Sequence, residues 1–155
     1  MKLLYLALGA NVGQREATIR QAIDMIEQKV GHVEKQSALY ETTPQGFDST
    51  HLFLNAVVAC RTTLSPHEAL CVTQDIERQL GRTQKSVNGQ YADRTIDIDL
   101  LVMQNEVVSD PQLTLPHPHI ATREFVLRPL CDIAPDLVIP PHTLCVKQLL
   151  EALQA

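Results

Sequence analysis

Asp93-Arg94-Thr95-Ile96-Asp97-Ile98-Asp99-Leu100-Leu101-Val102 alternates polar and apolar from Ile96 to Asp99, the period-two pattern of a half-buried strand. Side chains along a strand point to alternate faces. Ile96, Ile98, Leu100 and Val102 are therefore expected on one face, with Asp97 and Asp99 on the other. Two carboxylates roughly 7 Å apart on one strand face repel each other. A divalent cation removes that repulsion, and oxygen donors select Mg²⁺ or Mn²⁺ over zinc. The alternative is a pair of solvated aspartates on an open sheet face. Arg94 weakens it, because a guanidinium beside two carboxylates suits a metal-bound polyphosphate.

Working outward, the polar stretch Arg82 to Asp93 has no periodicity and contains the turn signal Asn88-Gly89, which reads as a functional loop. Before it, Ser65, Pro66 and Glu68 spell an N-cap, a first helical residue and a capping box. The stripe Ala69, Val72, Thr73, Ile76 and Leu80 continues that helix to Gly81. Further upstream, strands are predicted over about Lys2–Leu8, Val33–Glu41 and Leu52–Thr62, with a helix over about Gln14–Lys29. Downstream, Gln104-Asn105 predicts a turn that folds Glu106–Val108 back on the acidic strand as a hairpin. Short helices are expected near Arg123–Ile133 and Val146–Leu153 in a proline-punctuated tail. The order β-α-β-β-α-β predicts an α+β, ferredoxin-like βαββαβ sheet with helices on one face and a C-terminal extension. Residues 1–155 are expected to form one domain. Asp97 and Asp99 then face away from the helices, on a side open to ligand unless the tail covers it.

The 155 residues are 45% apolar, enough for a core, and carry a formal charge of −5. Acidity argues against a general nucleic-acid binder, and 4% aromatic content without Trp argues against a single-strand stacking platform. Cys60, Cys71, Cys131 and Cys145 show neither CxxC nor zinc-finger spacing. Cys60 and Cys71 are expected as small buried hydrophobes in a reducing cytoplasm. The run Lys2 to Ala10 reads as a buried strand rather than a signal peptide, and no segment is long enough to span a membrane.

Gln74 and Glu77 share a helix face, and Arg78, Arg82, Lys85 and Arg94 surround the loop that leads to the acidic strand. Carboxylates and cations so grouped suit a Mg²⁺–polyphosphate site, although any one arginine alone is more simply a solvated charge. No GxxxxGK[ST] loop or dinucleotide fingerprint is present. His117 and His119 suggest a metal pair, but no third zinc ligand is near in sequence; His117 is expected instead to hydrogen-bond a phosphate or a backbone group. Asn55 lies in an apolar strand and must find partners if buried. Its amide matches the edge of a heterocycle, or it is a satisfied structural asparagine. Thr42 and Thr43 serve the same ligand or cap a turn.

Over essentially its whole length the chain resembles the 6-hydroxymethyl-7,8-dihydropterin pyrophosphokinase family. The segments that carry the resemblance are Ala7–Asn11, Tyr40–Pro44 with Gly46, Phe53–Ala56, Gln74–Glu77 with Gly81-Arg82, Asp93–Asp99, Leu115–His117 and Arg123–Leu130. The resemblance implies Mg²⁺-dependent transfer of pyrophosphate from ATP to the hydroxymethyl group of the pterin, releasing AMP, in folate biosynthesis. It implies two Mg²⁺ ions held by Asp97 and Asp99, and Arg82 and Arg94 stabilising the transferred group. Gln74, Glu77, Lys85, Tyr91, His117 and Arg123 are expected at the nucleotide. Thr42 and Asn55 are expected at the pterin edge, with Phe53 and Phe125 stacked on its ring. Loops over about Thr43–His51 and Arg82–Asp93 would close over both substrates. Relatives often carry arginines and a Trp where this chain has Gln84, Gln90 and Tyr91, an arginine near Gln112 and an aromatic at Pro118. The second loop is thus less cationic, with Lys85 in partial compensation. ATP and the pterin are the expected partners of a cytoplasmic monomer. The rival readings are a non-catalytic ferredoxin-like binding module and a metal-dependent phosphodiesterase.

Overall fold

The computed structural model describes residues 1–42, 52–81 and 96–154. The apolar run at the start forms β1 (Lys2–Ala10), followed by α1 (Arg15–Lys29), β2 (His32–Gln36), β3 (Tyr40–Thr42), β4 (Phe53–Thr62), α2 (Pro66–Gln79) and β5 (Asp97–Met103). These strands make one antiparallel sheet in the order β2-β4-β1-β5, and β3 pairs with β4 as well. β1 therefore lies between the two later strands of the repeat, as a split βαβ requires.

α1 and α2 share one face of the sheet. Leu4, Leu6, Leu8, Ile19, Ile26, Val58, Ile76, Ile96 and Ile98 meet in that core, and each fully buried Leu or Ile contributes about 1.5–3 kcal/mol. α2 starts as its sequence dictates: the Ser65 hydroxyl accepts from Glu68 N at 3.2 Å, and Glu68 Oε1 accepts from Ser65 N at 2.9 Å. The chain continues through β6 (Val108–Ser109), β7 (Thr114–Leu115), a single 3-10 turn (Ile120–Thr122), α3 (Glu124–Ile133) and α4 (Val146–Gln154). α3 and α4 cover the second face, burying Tyr5, Val57, Ala59, Leu101 and Val102 with Leu127, Leu130 and Val146. The unbroken apolar run Ala56–Cys60 has a physical reason in this arrangement, since both faces of β4 are buried.

Four expectations need correction. The strand expected over Val33–Glu41 is split, because Ser37 replaces a ladder partner: its hydroxyl accepts from Val57 N and its own N–H donates to Val57 O, both at 2.9 Å. The segment after Asn105 does not fold back on β5. Val108 and Ser109 pair with Leu115 and Thr114, around a turn in which Asp110 Oδ1 accepts from the N–H groups of Gln112 and Leu113. Val102 lies on the second face, not beneath α1 and α2. Tyr5 opposes Val102 and Leu6 opposes Leu100, so Leu101 is the extra residue of a β-bulge that reverses the alternation. Cys71 is exposed, since the buried stripe of α2 runs through Ala69, Thr73 and Ile76. Cys60 is fully buried as expected, and burial pushes its thiol up to about 12.

Candidate active site

At one end of the sheet the register aligns a row of four residues: Tyr40 opposes Asn55, Asn55 opposes Gly9, and Gly9 opposes Asp97. Directly opposed residues share a face, so this row lies on the side of α3 and α4. Asp99, opposite Ala7, and Phe53, opposite Thr42, lie on the same face one step to either side. Asp97 and Asp99 thus project together, while Ile96, Ile98 and Leu100 enter the opposite core, as their alternation predicts. Asn55 and Asp97 are two strand spacings apart, about 10 Å, with no side chain at Gly9 between them. A Cβ on Gly9 would stand 3.2 Å from Asn55 Oδ1 and 3.6 Å from Phe53 Cδ1. Residue-by-residue reading left this glycine without a role; its signal was its place at the end of an apolar strand.

Beside this row is a cavity of about 430 Å³, lined by Gln74 and Glu77 from α2, Asp97 and Asp99 from β5, and His117 and Arg123 from the segment leading into α3. Its volume is that of a small-molecule site. His119 and Pro118 also face it. Glu77 is buried, and its Oε2 accepts from Ile98 N at 2.7 Å. That bond occupies an edge-strand N–H and fixes the backbone between the two aspartates to α2. His117 Nδ1 accepts from His119 N at 3.1 Å, which puts the ring proton of the neutral form on Nε2. Burial first, then the charges of Arg123 and His119, lower the imidazole pKa to about 4, against a smaller opposing effect of Asp97. At neutral pH His117 is therefore an uncharged N–H donor, suited to a phosphate oxygen or ribose.

The residues expected at a heterocycle gather on the other side of Gly9. Asn55 Nδ2 donates to Thr42 Oγ1 at 2.7 Å and to Tyr40 O at 3.4 Å. Asn55 thus finds within the protein the partners that burial demands and binds β3 to β4. Phe125 stands at the start of α3, with the Arg123 guanidinium 5.7 Å from its ring centroid, a cation–π contact. Six of the expected residues meet in one cavity, and Thr42, Phe53 and Asn55 form a second group beside it. Arg82, Lys85, Tyr91 and Arg94 lie outside the described residues, as do both loops expected to close.

Among the described residues no group of three or more His, Cys, Asp and Glu side chains is set to hold a metal. Two carboxylates at an open, polar cavity fit Mg²⁺, which keeps several waters and takes further oxygens from a phosphate ligand. Zinc favours nitrogen and sulfur donors, usually three or four protein ligands, which two aspartates alone do not supply.

The chain matches the profile of the family described as 7,8-dihydro-6-hydroxymethylpterin-pyrophosphokinase (HPPK) over residues 5–135. It is 50% identical over 136 residues to the 2-amino-4-hydroxy-6-hydroxymethyldihydropteridine pyrophosphokinase of Porphyromonas gingivalis strain W83, covering 87% of this chain and 92% of that one. The protein of the same description from Bacillus subtilis is 42% identical over 132 residues, covering 84% and 77% of the two chains. Among solved structures, the wild-type HPPK-DHPS of Plasmodium falciparum with pteroate superposes with a TM-score of 0.78 at 16% identity. That alignment covers 97% of this chain but 42% of the longer one, and shows the shared fold alone. Family profile, close relatives and architecture agree, and the chain belongs to the 7,8-dihydro-6-hydroxymethylpterin-pyrophosphokinase family.

Proposed function

We propose that this chain transfers pyrophosphate from ATP to the hydroxymethyl group of 6-hydroxymethyl-7,8-dihydropterin. The hydroxymethyl oxygen bonds to the β-phosphorus, the bond from that phosphorus to the oxygen bridging to the α-phosphate breaks, and AMP leaves. The hydroxyl proton passes to solvent. The observation that carries this reading is the row Asn55–Gly9–Asp97. The Asn55 amide and the Asp97 carboxylate lie about 10 Å apart on one face with no side chain at Gly9 between them, which supports a ring addressed by Asn55 and a metal held by Asp97.

Asp97 and Asp99 would hold two Mg²⁺ ions, which supply charge neutralisation to the triphosphate and align it for in-line attack. Gln74, Glu77, His117 and Arg123 line the nucleotide side, where His117 donates its Nε2–H without adding charge. Lys85 and Tyr91 are assigned to the nucleotide, and Arg82 and Arg94 to the transferred group, from the family resemblance. Thr42 and Asn55 address the pterin edge, and Phe53 and Phe125 enclose its ring. Positioning and electrostatics, rather than a covalent intermediate, lower the barrier. Cysteines without CxxC or zinc-finger spacing favour a reducing cytoplasm, and residues 1–155 are read as one domain acting as a monomer. Among the described residues no helix is long and apolar enough to cross a membrane.

The test is AMP release with pterin and Mg²⁺ each supplied or withheld, for the parent chain and Asp97→Ala. AMP should form only when ATP, pterin and Mg²⁺ are all present. Asp97→Ala should lose more than about a hundredfold in turnover, while stability holds or rises as carboxylate repulsion is relieved. ADP as product, or nucleotide hydrolysis without pterin, would overturn the assignment; the latter would favour a phosphodiesterase. Full function in Asp97→Ala would leave a binding module.

A further inference from the structure

β3 is three residues long and pairs only through Tyr40–Asn55, Glu41–Leu54 and Thr42–Phe53. So short a segment at the sheet margin has few ladder bonds to fix it. Two side chains from other elements tie it down. Arg15 at the start of α1 donates Nη2–H to Glu41 Oε2 at 2.7 Å and Nη1–H to Leu52 O at 2.8 Å. On the opposite side, Asp132 of α3 accepts from the Tyr40 hydroxyl at 2.9 Å through Oδ1 and 2.8 Å through Oδ2. Asp132 Oδ2 also accepts from Ala38 N at 3.1 Å. One carboxylate thus binds the connection after β2, at Ala38, and the first residue of β3, Tyr40, to α3.

Asp132 lies seven residues after Phe125 in α3. Seven residues are two helical turns, about 10 Å, and return to the same helix face. The face that carries Phe125 is therefore the face that binds Tyr40. Two residues beyond Tyr40, Thr42 opposes Phe53, and Asn55 Nδ2 is bonded to Thr42 Oγ1. Asp132 is thus a contact through which α3, with Phe125 on the same face, is tied to the short strand that ends at Thr42.

We propose that Asp132 is a positioning residue that fixes the width of the slot between β3–β4 and Phe125, and so selects a single flat ring system. This rests on the assignment of that slot to the pterin. Asp132 touches no reacting atom; it acts through Tyr40 and Thr42. The Tyr40 phenol pKa is raised chiefly by this hydrogen bond to Asp132, so the hydroxyl remains a donor across the neutral range.

The test measures kcat and both KM values of AMP release for Asp132→Ala, Asp132→Glu and Tyr40→Phe, with hydrogen exchange of the Tyr40–Thr42 amides in the ligand-free chain. Losing a hydrogen bond to a charged acceptor at a partly exposed site should raise KM for the pterin about tenfold in Asp132→Ala, and somewhat less in Tyr40→Phe. KM for ATP and kcat should stay within about twofold, Asp132→Glu should recover most of the loss, and exchange should accelerate in Asp132→Ala. Equal rises in both KM values, no rise in either, or unchanged exchange would overturn the proposal. If Asp132→Ala does not fold, Tyr40→Phe decides by the same split. If the parent chain forms no AMP with pterin, the functional assignment fails, and the exchange measurement still decides whether Asp132 holds β3.

Discussion

Gly31→Ala isolates stability from function at the end of the sheet far from the cavity. A Cβ at this position would stand 1.9 Å from Arg61 O, 2.7 Å from Arg61 C and 3.0 Å from Thr62 Cα. Ordinary contact needs about 3.5 Å, so the α1–β2 junction must move away from β4 by roughly 1.5 Å. That shift breaks the buried bond from Thr62 Oγ1 to Val30 O, now 2.6 Å, and disturbs the His32–Arg61 pair. Forced overpacking costs about 1–3 kcal/mol, and the orphaned buried oxygen about 1–3 kcal/mol more. The reduced freedom of the unfolded chain returns up to about 1 kcal/mol. The net loss is about 1–6 kcal/mol, centred near about 3.5 kcal/mol, which lowers Tm by roughly 10 °C for a chain of this size. Urea unfolding followed by far-UV circular dichroism measures the stability, and AMP release at low temperature measures the site. Asn55 is six residues along β4 from Arg61, roughly 20 Å away, so kcat and both KM values should remain within about twofold. A stability loss below about 1 kcal/mol would refute the claim that this glycine is required by close approach. An intact fold with impaired KM would refute the independence of the two ends.

His117 should make the chain acid-sensitive. Its folded pKa lies below the ordinary value, so between pH 6.5 and about 4 the unfolded chain binds a proton that the folded chain refuses, and stability falls as pH drops through that window. The drop from 6.5 to about 4 corresponds to at most about 3 kcal/mol, and solvent screening of this half-buried ring reduces it to about 1–2 kcal/mol. His117→Gln should lose that much less stability than the parent between pH 7.5 and 3.5 in urea unfolding; equal losses would contradict the burial argument. Ser65→Ala should cost about 1 kcal/mol through the lost cap of α2, with Tm about 3 °C lower and turnover preserved below the transition. Unchanged Tm would mean that Glu68 alone holds that helix start.

Local chemistry made much of this fold legible. The α2 start was written in three residues, Ser65, Pro66 and Glu68, because a capping box closes within one turn. The placement of Asp97 and Asp99 followed from strand alternation, which needs no partner to be known. Where alternation lapsed, in Leu100-Leu101-Val102, sequence offered no sign of the bulge, since any of three apolar residues could be the extra one. The break at Ser37 was hidden because it depends on a partner twenty positions away, Val57. Asn55 announced a need for partners, and Thr42 was named beside it, but the bond between them was a tertiary fact. Asp132 gave no signal at all: an exposed acid on a helix becomes informative only when Tyr40 arrives against it. The neutral state of His117 likewise comes from burial and from Arg123, neither of which its own neighbours in sequence disclose.

The bulge at Leu101 makes β5 a strand with two independent indices. Removing Leu101 would leave Leu100 opposite Leu6, Val102 opposite Tyr5 and Met103 opposite Leu4, at the cost of one apolar side chain. Removing a residue between Asp97 and Asp99 would instead turn one carboxylate into the core beneath α2. One strand therefore contains a position where length can change by one residue and a stretch where it cannot. The boundary between them falls where structural packing hands over to chemistry.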